Sequence, residues 1–563
     1  MATTANGRRH RTGRRTLISG IATGLVVVWC AVAPGSAPGE PPNMMPVPPS
    51  VAEAVDAAVP PPPVPRLRDI PPRARAAGFD HRTLELREAL LPSPTGDPLF
   101  DRWPADLSTM RPGRVIAVRD VRATAGPVVT VPLRSATLIK FATTDATGAP
   151  IFGTATLLIP NRPARGPRPL LVNNLPIDSL GAACTPGYTL AHGFSIATNP
   201  TDLIPPTTQI ALNDGHAVLV PDHQGPRMAY AEPVLAGHVI LDAIRAGLTV
   251  RPETLRHSRI ALAGYSGGAI ATHGASKLVG DYAPELSDRI VGAALGGVPA
   301  DFRMLVGSMN ANLATGLFHA ATFGIARERT EILALANRPA RWLATSPLKN
   351  VCVIPEALGG GTFMPMQLMS SDPDPFHSPV AERIYRLTAM ADRKSLVPLL
   401  IYHGTHEWWI PAAGARALYR QQCGYGATAA YREIFGEHLT GALLGFQVAL
   451  DWLNNRLAGR PATNARGARP VEAERRETVR GGSVDEDAQV LGDACGLGLA
   501  LDLDRVGHDH VDTLGGLLDR GDHRVGADTR AHLHRVREAQ LVHAVVEEEL
   551  GALDGEDLAG EHR

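Results

Sequence analysis

ALAGYSGGAIATHG, residues 261–274, sets Ser266 between two glycines in the pattern Gly-x-Ser-x-Gly. With 56 glycines in 563 residues the pentapeptide alone is weak evidence, so its flanks decide the reading. SRIALA (258–263) is a short apolar run of β type. GGAIATHGASKLV (267–279) has small residues and apolar spacing near the helical period. Strand, sharp turn and helix follow in order, which is the setting that lifts a serine hydroxyl above a sheet as a nucleophile. Gly264 and Gly268 stand where a missing side chain lets strand and helix approach.

Working outward, β-like runs recur at 114–121, 136–144, 151–160, 168–174, 216–223, 289–295 and 396–404, with helical patterns such as 231–248 and 414–423 between them. Strands alternating with helices predict a mostly parallel sheet covered on both faces, with ligands at the carboxyl ends of the strands. A serine needs a base, and the base an orienting acid. In HGTHEWWIP (403–411) Glu407 lies just past a strand. In GEHLTG (436–441) His438 opens a helix after the next β-like run. The order Ser266, Glu407, His438 fits nucleophile, acid and base on successive loops. Asp372, Asp374 and Asp392 are fallback acids, none behind a convincing strand, and the rival reading of Glu407 is a surface carboxylate. His223, His273, His403 and His406 read as packed or exposed bystanders. No metal-binding spacing of His, Glu or Cys is present, so neither a metal nor another cofactor is expected. The N–H of Gly267 is one expected donor to a tetrahedral oxygen, and the loop VNNLPIDSLG (172–181) supplies the other by position.

The elbow GYSGGA (264–269), LVPLLIYHGTHEWWIP (396–411) and GEHLTGALLGFQVALDWLNNRLAG (436–459) together resemble the secretory lipase family, exported α/β-hydrolases of yeasts and actinobacteria. The segments 97–121, 175–188 and 237–246 extend the likeness over roughly residues 95–460. The resemblance implies an α/β-hydrolase fold with an inserted helical cap, and an esterase acting on acylglycerols. It further implies Ser266 as nucleophile, His438 as base, Asp178 in the oxyanion hole, and a Cys184–Cys352 disulfide. Asp178 also reads as a turn or helix cap. One position departs from the family pattern: Glu407, followed by two tryptophans, stands where an aspartate is usual.

From Ser266 to Glu407 the chain runs 141 residues, more than the intervening strand–helix units need. The apolar, Ala- and Met-rich stretch 298–347 has a helical period. It predicts a cap around 299–392 inserted in a hydrolase domain of residues 81–460.

The termini read differently. GRRHRTGRR (7–15), the apolar run 16–33 and the small residues of 31–37 form an export signal over residues 1–37, with paired arginines that resemble the twin-arginine type. An uncleaved anchor is the rival reading. Residues 38–80 are proline-dense and read as an extended spacer. Residues 461–563 hold 12 Arg, no Lys and 22 Asp plus Glu; from Thr463 onward they lack Ile, Met, Phe, Tyr and Trp. That composition predicts a disordered acidic tail. The formal net charge is −1, with no polybasic face beyond the first fifteen residues, so a nucleic-acid partner is not expected. The expected partner is a lipid or small ester, met transiently at a lipid interface, outside the cell or in its envelope. Cys30 would leave with the signal, and Cys184, Cys352, Cys423 and Cys495 would remain in an oxidising compartment. A second reading is an impaired hydrolase fold serving as an envelope binding protein, supported by Glu407, the spacer and the tail.

Overall fold

The computed structural model describes residues 47–64, 78–164, 166–195, 198–199 and 206–462. The export signal, Cys30, Cys495 and the tail from residue 463 lie outside the described residues.

Nine strands form one sheet: β1 (Val115–Asp120), β2 (Leu133–Thr144), β3 (Pro150–Pro160), β4 (Leu170–Asn174), β5 (Ala217–Pro221), β6 (Ile260–Tyr265), β7 (Ile290–Gly296), β8 (Leu399–Gly404) and β9 (Ala429–Ile434). Their order is β1-β2-β3-β5-β4-β6-β7-β8-β9. The pairs β1–β2, β2–β3 and β3–β5 are antiparallel, and every pair from β5 to β9 is parallel. The inner parallel strands β4 to β8 are buried on both faces and therefore read as near-continuous apolar runs, whereas β9, at the sheet edge, is partly exposed.

Alternate residues divide between two cores. Leu170, Val172, Ile260, Leu262, Leu295 and Ile401 face α1 (Pro233–Val250), α2 (Gly267–Tyr282) and α8 (Ala412–Gly424), where Val239, Ile244, Val279 and Leu418 meet them. Leu171, Ala261, Ala263, Ala294 and Leu400 face the other way, against Ala449, Leu450 and Leu453 of α9 (His438–Leu457). α1 is also the one helix among the described residues long and apolar enough to cross a membrane, but it is mostly buried against this sheet.

Between β7 and β8 the chain leaves the sheet and builds α3 (Phe302–Met309), α4 (Thr315–Ala326), α5 (Arg338–Thr345), α6 (Val353–Leu358) and α7 (Pro379–Ala389). These helices share a third core, in which Phe302, Leu317, Phe323 and Ile384 pack with Tyr230, Ile270 and Trp409 of the body. The cap is pinned at the end of α4. Arg327, fully buried, donates to the carbonyls of Leu90, Leu180, Arg227, Met228 and Lys349. Glu328 pairs with Arg227 at 2.9 Å and Arg329 with Glu232 at 2.7 Å. The Cys184–Cys352 disulfide implied by the family resemblance is present and joins the loop after β4 to the cap.

The spacer differs from its expectation. Pro49–Ala58 is helical rather than extended, and its Asp56 accepts from Arg338 N on the cap at 2.7 Å. The prolines lie at its start, where no intrahelical N–H is lost, and the stretch 50–58 contains none.

Candidate active site

Ser266 sits between β6 and α2 with φ 55° and ψ −123°, a conformation a side-chain-bearing residue holds only under constraint. The constraint is close packing on both sides. A Cβ on Gly264 would fall on the carbonyl oxygen of Gly268, and one on Gly268 would fall on that of Asn174. Ser266 N donates to Gly296 O at 2.9 Å, which ties the turn to β7.

Glu407 and His438 arrive from the ends of β8 and β9. His438 is the first residue of α9, and the preceding Glu437 caps that helix through Leu439 N and Thr440 N at 2.9 and 2.8 Å. His438 Nδ1 lies 2.7 Å from Glu407 Oε2, and both side chains are buried. A carboxylate only accepts, so Nδ1 carries the proton and Nε2 presents its lone pair. The other oxygen of Glu407 accepts from Trp409 N and Ile410 N, each at 3.3 Å, which fixes the carboxylate plane. Glu407 is thus not a surface group, and the tryptophans after it are part of the setting. Trp409 stands edge-on to the imidazole with ring centres 4.6 Å apart, and exposed Trp408 stacks on Trp409.

The imidazole lies beside the elbow. Tyr265, the residue before Ser266, donates its hydroxyl to His438 O at 2.6 Å, with ring centres 5.0 Å apart. A side chain on Gly297 would strike the imidazole edge. His438 Nε2 is buried and has no hydrogen-bond partner among the described residues.

Asp178 lies against the residue that follows the serine, with a left-handed backbone at φ 42°. Its carboxyl lies against Gly267, on which an added Cβ would meet Oδ1. Burial pushes this carboxyl up to about 6; the nearby His438 imidazole, the Gly267 N–H, the Ser266 hydroxyl and its own N–H act in the other direction. These groups face the carboxyl without completing a hydrogen bond at Oδ1, which is buried and unpartnered. The Asp178 side chain therefore lies where the Gly267 and Asp178 N–H groups converge.

Ser266 opens into a cavity of about 1230 Å³, its mouth included, between the body and the cap. Phe302, Leu305, Phe318, Met366, Met369 and Ile384 line it, and the few polar side chains include Ser266, Thr322 and Ser370. Such a lining suits an apolar chain.

The remaining sequence candidates fall elsewhere. Asp374 pairs with exposed His377 at 2.8 Å, and Asp372 accepts from Asp374 N; the carboxylate that meets His438 Nδ1 is that of Glu407, not one of these or of Asp392. His223 holds Leu175 O at 2.8 Å and His403 holds Ile410 O at 2.7 Å, so both brace site loops from behind. His406 contacts Thr405, and His273 is buried within α2. Among the described residues no cluster of His, Cys, Asp and Glu could hold a metal. Tyr265 was not legible as a site residue: nothing local to the elbow says that a tyrosine there will meet a backbone carbonyl 173 residues further on.

The profile of the family described as secretory lipase matches residues 196–465. A Mycobacterium tuberculosis protein named probable inactive lipase is 30% identical over 389 residues, covering 68% of this chain and 86% of its own length. The secreted triacylglycerol lipase LIP5 of Malassezia globosa is 29% identical over 374 residues, 63% of this chain and 77% of its own. Among solved structures, lipase A of Candida antarctica superposes with a TM-score of 0.60 at 25% identity, covering 66% of this chain and 88% of the other.

Proposed function

The chain belongs to the secretory lipase family, and from that membership we propose that it is an active serine esterase, cleaving carboxylic esters of long acyl chains, acylglycerols among them, outside the cell. The observation that carries the reading is the buried His438–Glu407 pair at 2.7 Å beside a strained serine that opens into an apolar cavity. The family and the fold support ester hydrolysis in general. The residue roles are drawn from the geometry.

In this mechanism Ser266 Oγ attacks the ester carbonyl while His438 Nε2 takes its proton. Glu407 keeps the Nδ1 proton in place and stabilises the imidazolium that forms. The carbonyl oxygen, now negative, moves to the N–H groups of Gly267 and Asp178, displacing the Asp178 carboxyl. His438 returns its proton to the departing alcohol, and water repeats the sequence on the acyl-serine. The acyl chain lies in the cavity under the cap, which also keeps bulk water from the charged intermediate.

The second reading, an inactive hydrolase that binds lipid, draws on the name of the mycobacterial relative and on the unpartnered His438 Nε2. Hydrolysis of a p-nitrophenyl acyl ester series by the parent and by Ser266→Ala separates the two. Turnover that rises with acyl length and vanishes in Ser266→Ala is the expected outcome. A parent no faster than Ser266→Ala would establish the binding protein instead.

A further inference from the structure

Asp178 holds a left-handed backbone without being glycine, and such a residue stays there only if its neighbours are fixed. The cap fixes them. Ser179 Oγ accepts from Val353 N at 3.0 Å. Leu180 N donates to Glu356 Oε1 at 2.9 Å and also to Val351 O at 3.1 Å. Leu180 O accepts from Arg327 at 2.7 Å.

Among these contacts Glu356 is the unexpected one. Val351 O already satisfies Leu180 N, so no unmet donor calls for a carboxyl. The carboxyl is buried, its Oε2 has no partner, and burying an unpaired polar atom costs stability. What the second acceptor adds is direction, drawing the Leu180 N–H toward α6. Burial raises the Glu356 carboxyl well above the usual range, against the hydrogen bond from Leu180 N; the neighbouring Asp178 adds to the rise and Arg327 opposes it. A neutral amide would therefore replace it well.

We propose that Glu356, on the cap, is a positioning residue for the oxyanion loop: by holding Leu180 it sets the height of the Asp178 N–H over Ser266. The assignment rests on the ester-hydrolase reading above. It makes the cap part of the catalytic geometry as well as a wall of the acyl cavity.

The full chain is tested as parent, Glu356→Gln, Glu356→Asp and Glu356→Ala. The readouts are steady-state hydrolysis of a p-nitrophenyl ester, thermal midpoint, and hydrogen exchange over 175–182. Glutamine keeps an acceptor at the same reach, and its kcat should stay within about 3-fold of the parent. Aspartate and alanine cannot reach Leu180 N; their kcat should fall about 10-fold or more with KM within about 2-fold, and exchange over 175–182 should rise. Parental kcat in the aspartate and alanine variants would overturn the proposal, as would glutamine falling as far as alanine. If alanine does not fold, the aspartate and glutamine pair decides by the same criteria. A parent without turnover would refute the esterase reading, and unchanged loop exchange in Glu356→Asp would then refute the role of Glu356 separately.

Discussion

Shortening Glu407 by one methylene should cripple catalysis, although it restores the aspartate usual in the family. The carboxylate now reaches His438 Nδ1 at 2.7 Å. Removing one carbon–carbon bond of about 1.5 Å draws it back to about 4 Å, beyond hydrogen-bond range. The imidazole then loses its orienting partner, and a displacement of this size costs about 10²-fold in rate. Glu407→Gln should be worse for a different reason. Trp409 N and Ile410 N, each 3.3 Å from Oε1, would keep the amide oxygen on their side and turn its NH₂ toward Nδ1. Two donors cannot face each other, so the proton moves to Nε2, and the base is lost. An acid-to-amide change of this kind costs about 10⁴-fold in kcat, about 5.4 kcal/mol. The assay is kcat and kcat/KM on a p-nitrophenyl ester, with circular dichroism and thermal midpoint to show that the fold survives. Glu407→Asp at or above parental activity, or Glu407→Gln within about 10-fold of the parent, would refute this account of the acid.

Three further outcomes follow from the same geometry. The Cys184–Cys352 bridge spans 168 residues, for which the chain-entropy relation gives an upper value of about 5 kcal/mol; Cys184→Ser with Cys352→Ser should lower the thermal midpoint sharply, and a change under about 2 °C would contradict it. Asp178, raised to about 6 by burial, is neutral below that pH and charged above it. Its carboxylate would repel the forming oxyanion, so kcat/KM should decline as pH rises through about 6 and that decline should vanish in Asp178→Asn; identical pH profiles would count against it. Ala381 lines the cavity on α7, and Ala381→Trp should shift preference toward shorter acyl esters without slowing an acetyl ester. Equal loss across all chain lengths would show general damage rather than pocket shape.

The elbow was legible because its causes are local: a buried β run, two glycines with backbone against them, and a helix of small residues. Glu407 and His438 were legible by order: the acid follows the apolar run of β8, and the base follows the β-type but partly exposed run of β9. The position of the carboxylate was not. That Glu407 reaches Nδ1 depends on how the 405–411 loop curls so that its own N–H groups bind Oε1, which no spacing rule encodes. Ser266 to His438 is a pattern of loops, whereas Arg327 to Leu180 or Glu356 to Leu180 joins a cap helix to a loop 147 or 176 positions earlier. Such contacts arise when the insertion packs on the body, and the sequence shows only an arginine and a glutamate in apolar surroundings. The helix at Pro49–Ala58 was hidden for the opposite reason, because prolines on both sides overshadowed a helix-forming stretch between them.

The most direct test of the central claim is covalent labelling of the full chain with an alkyl phosphonate ester, followed by intact mass and peptide mapping. One phosphonate on Ser266, absent from Ser266→Ala and formed at least about 10²-fold more slowly in His438→Ala, is what an activated serine gives. No adduct, or one that forms equally fast without His438, would mean that the serine in GYSGG is not a nucleophile, whatever the fold around it.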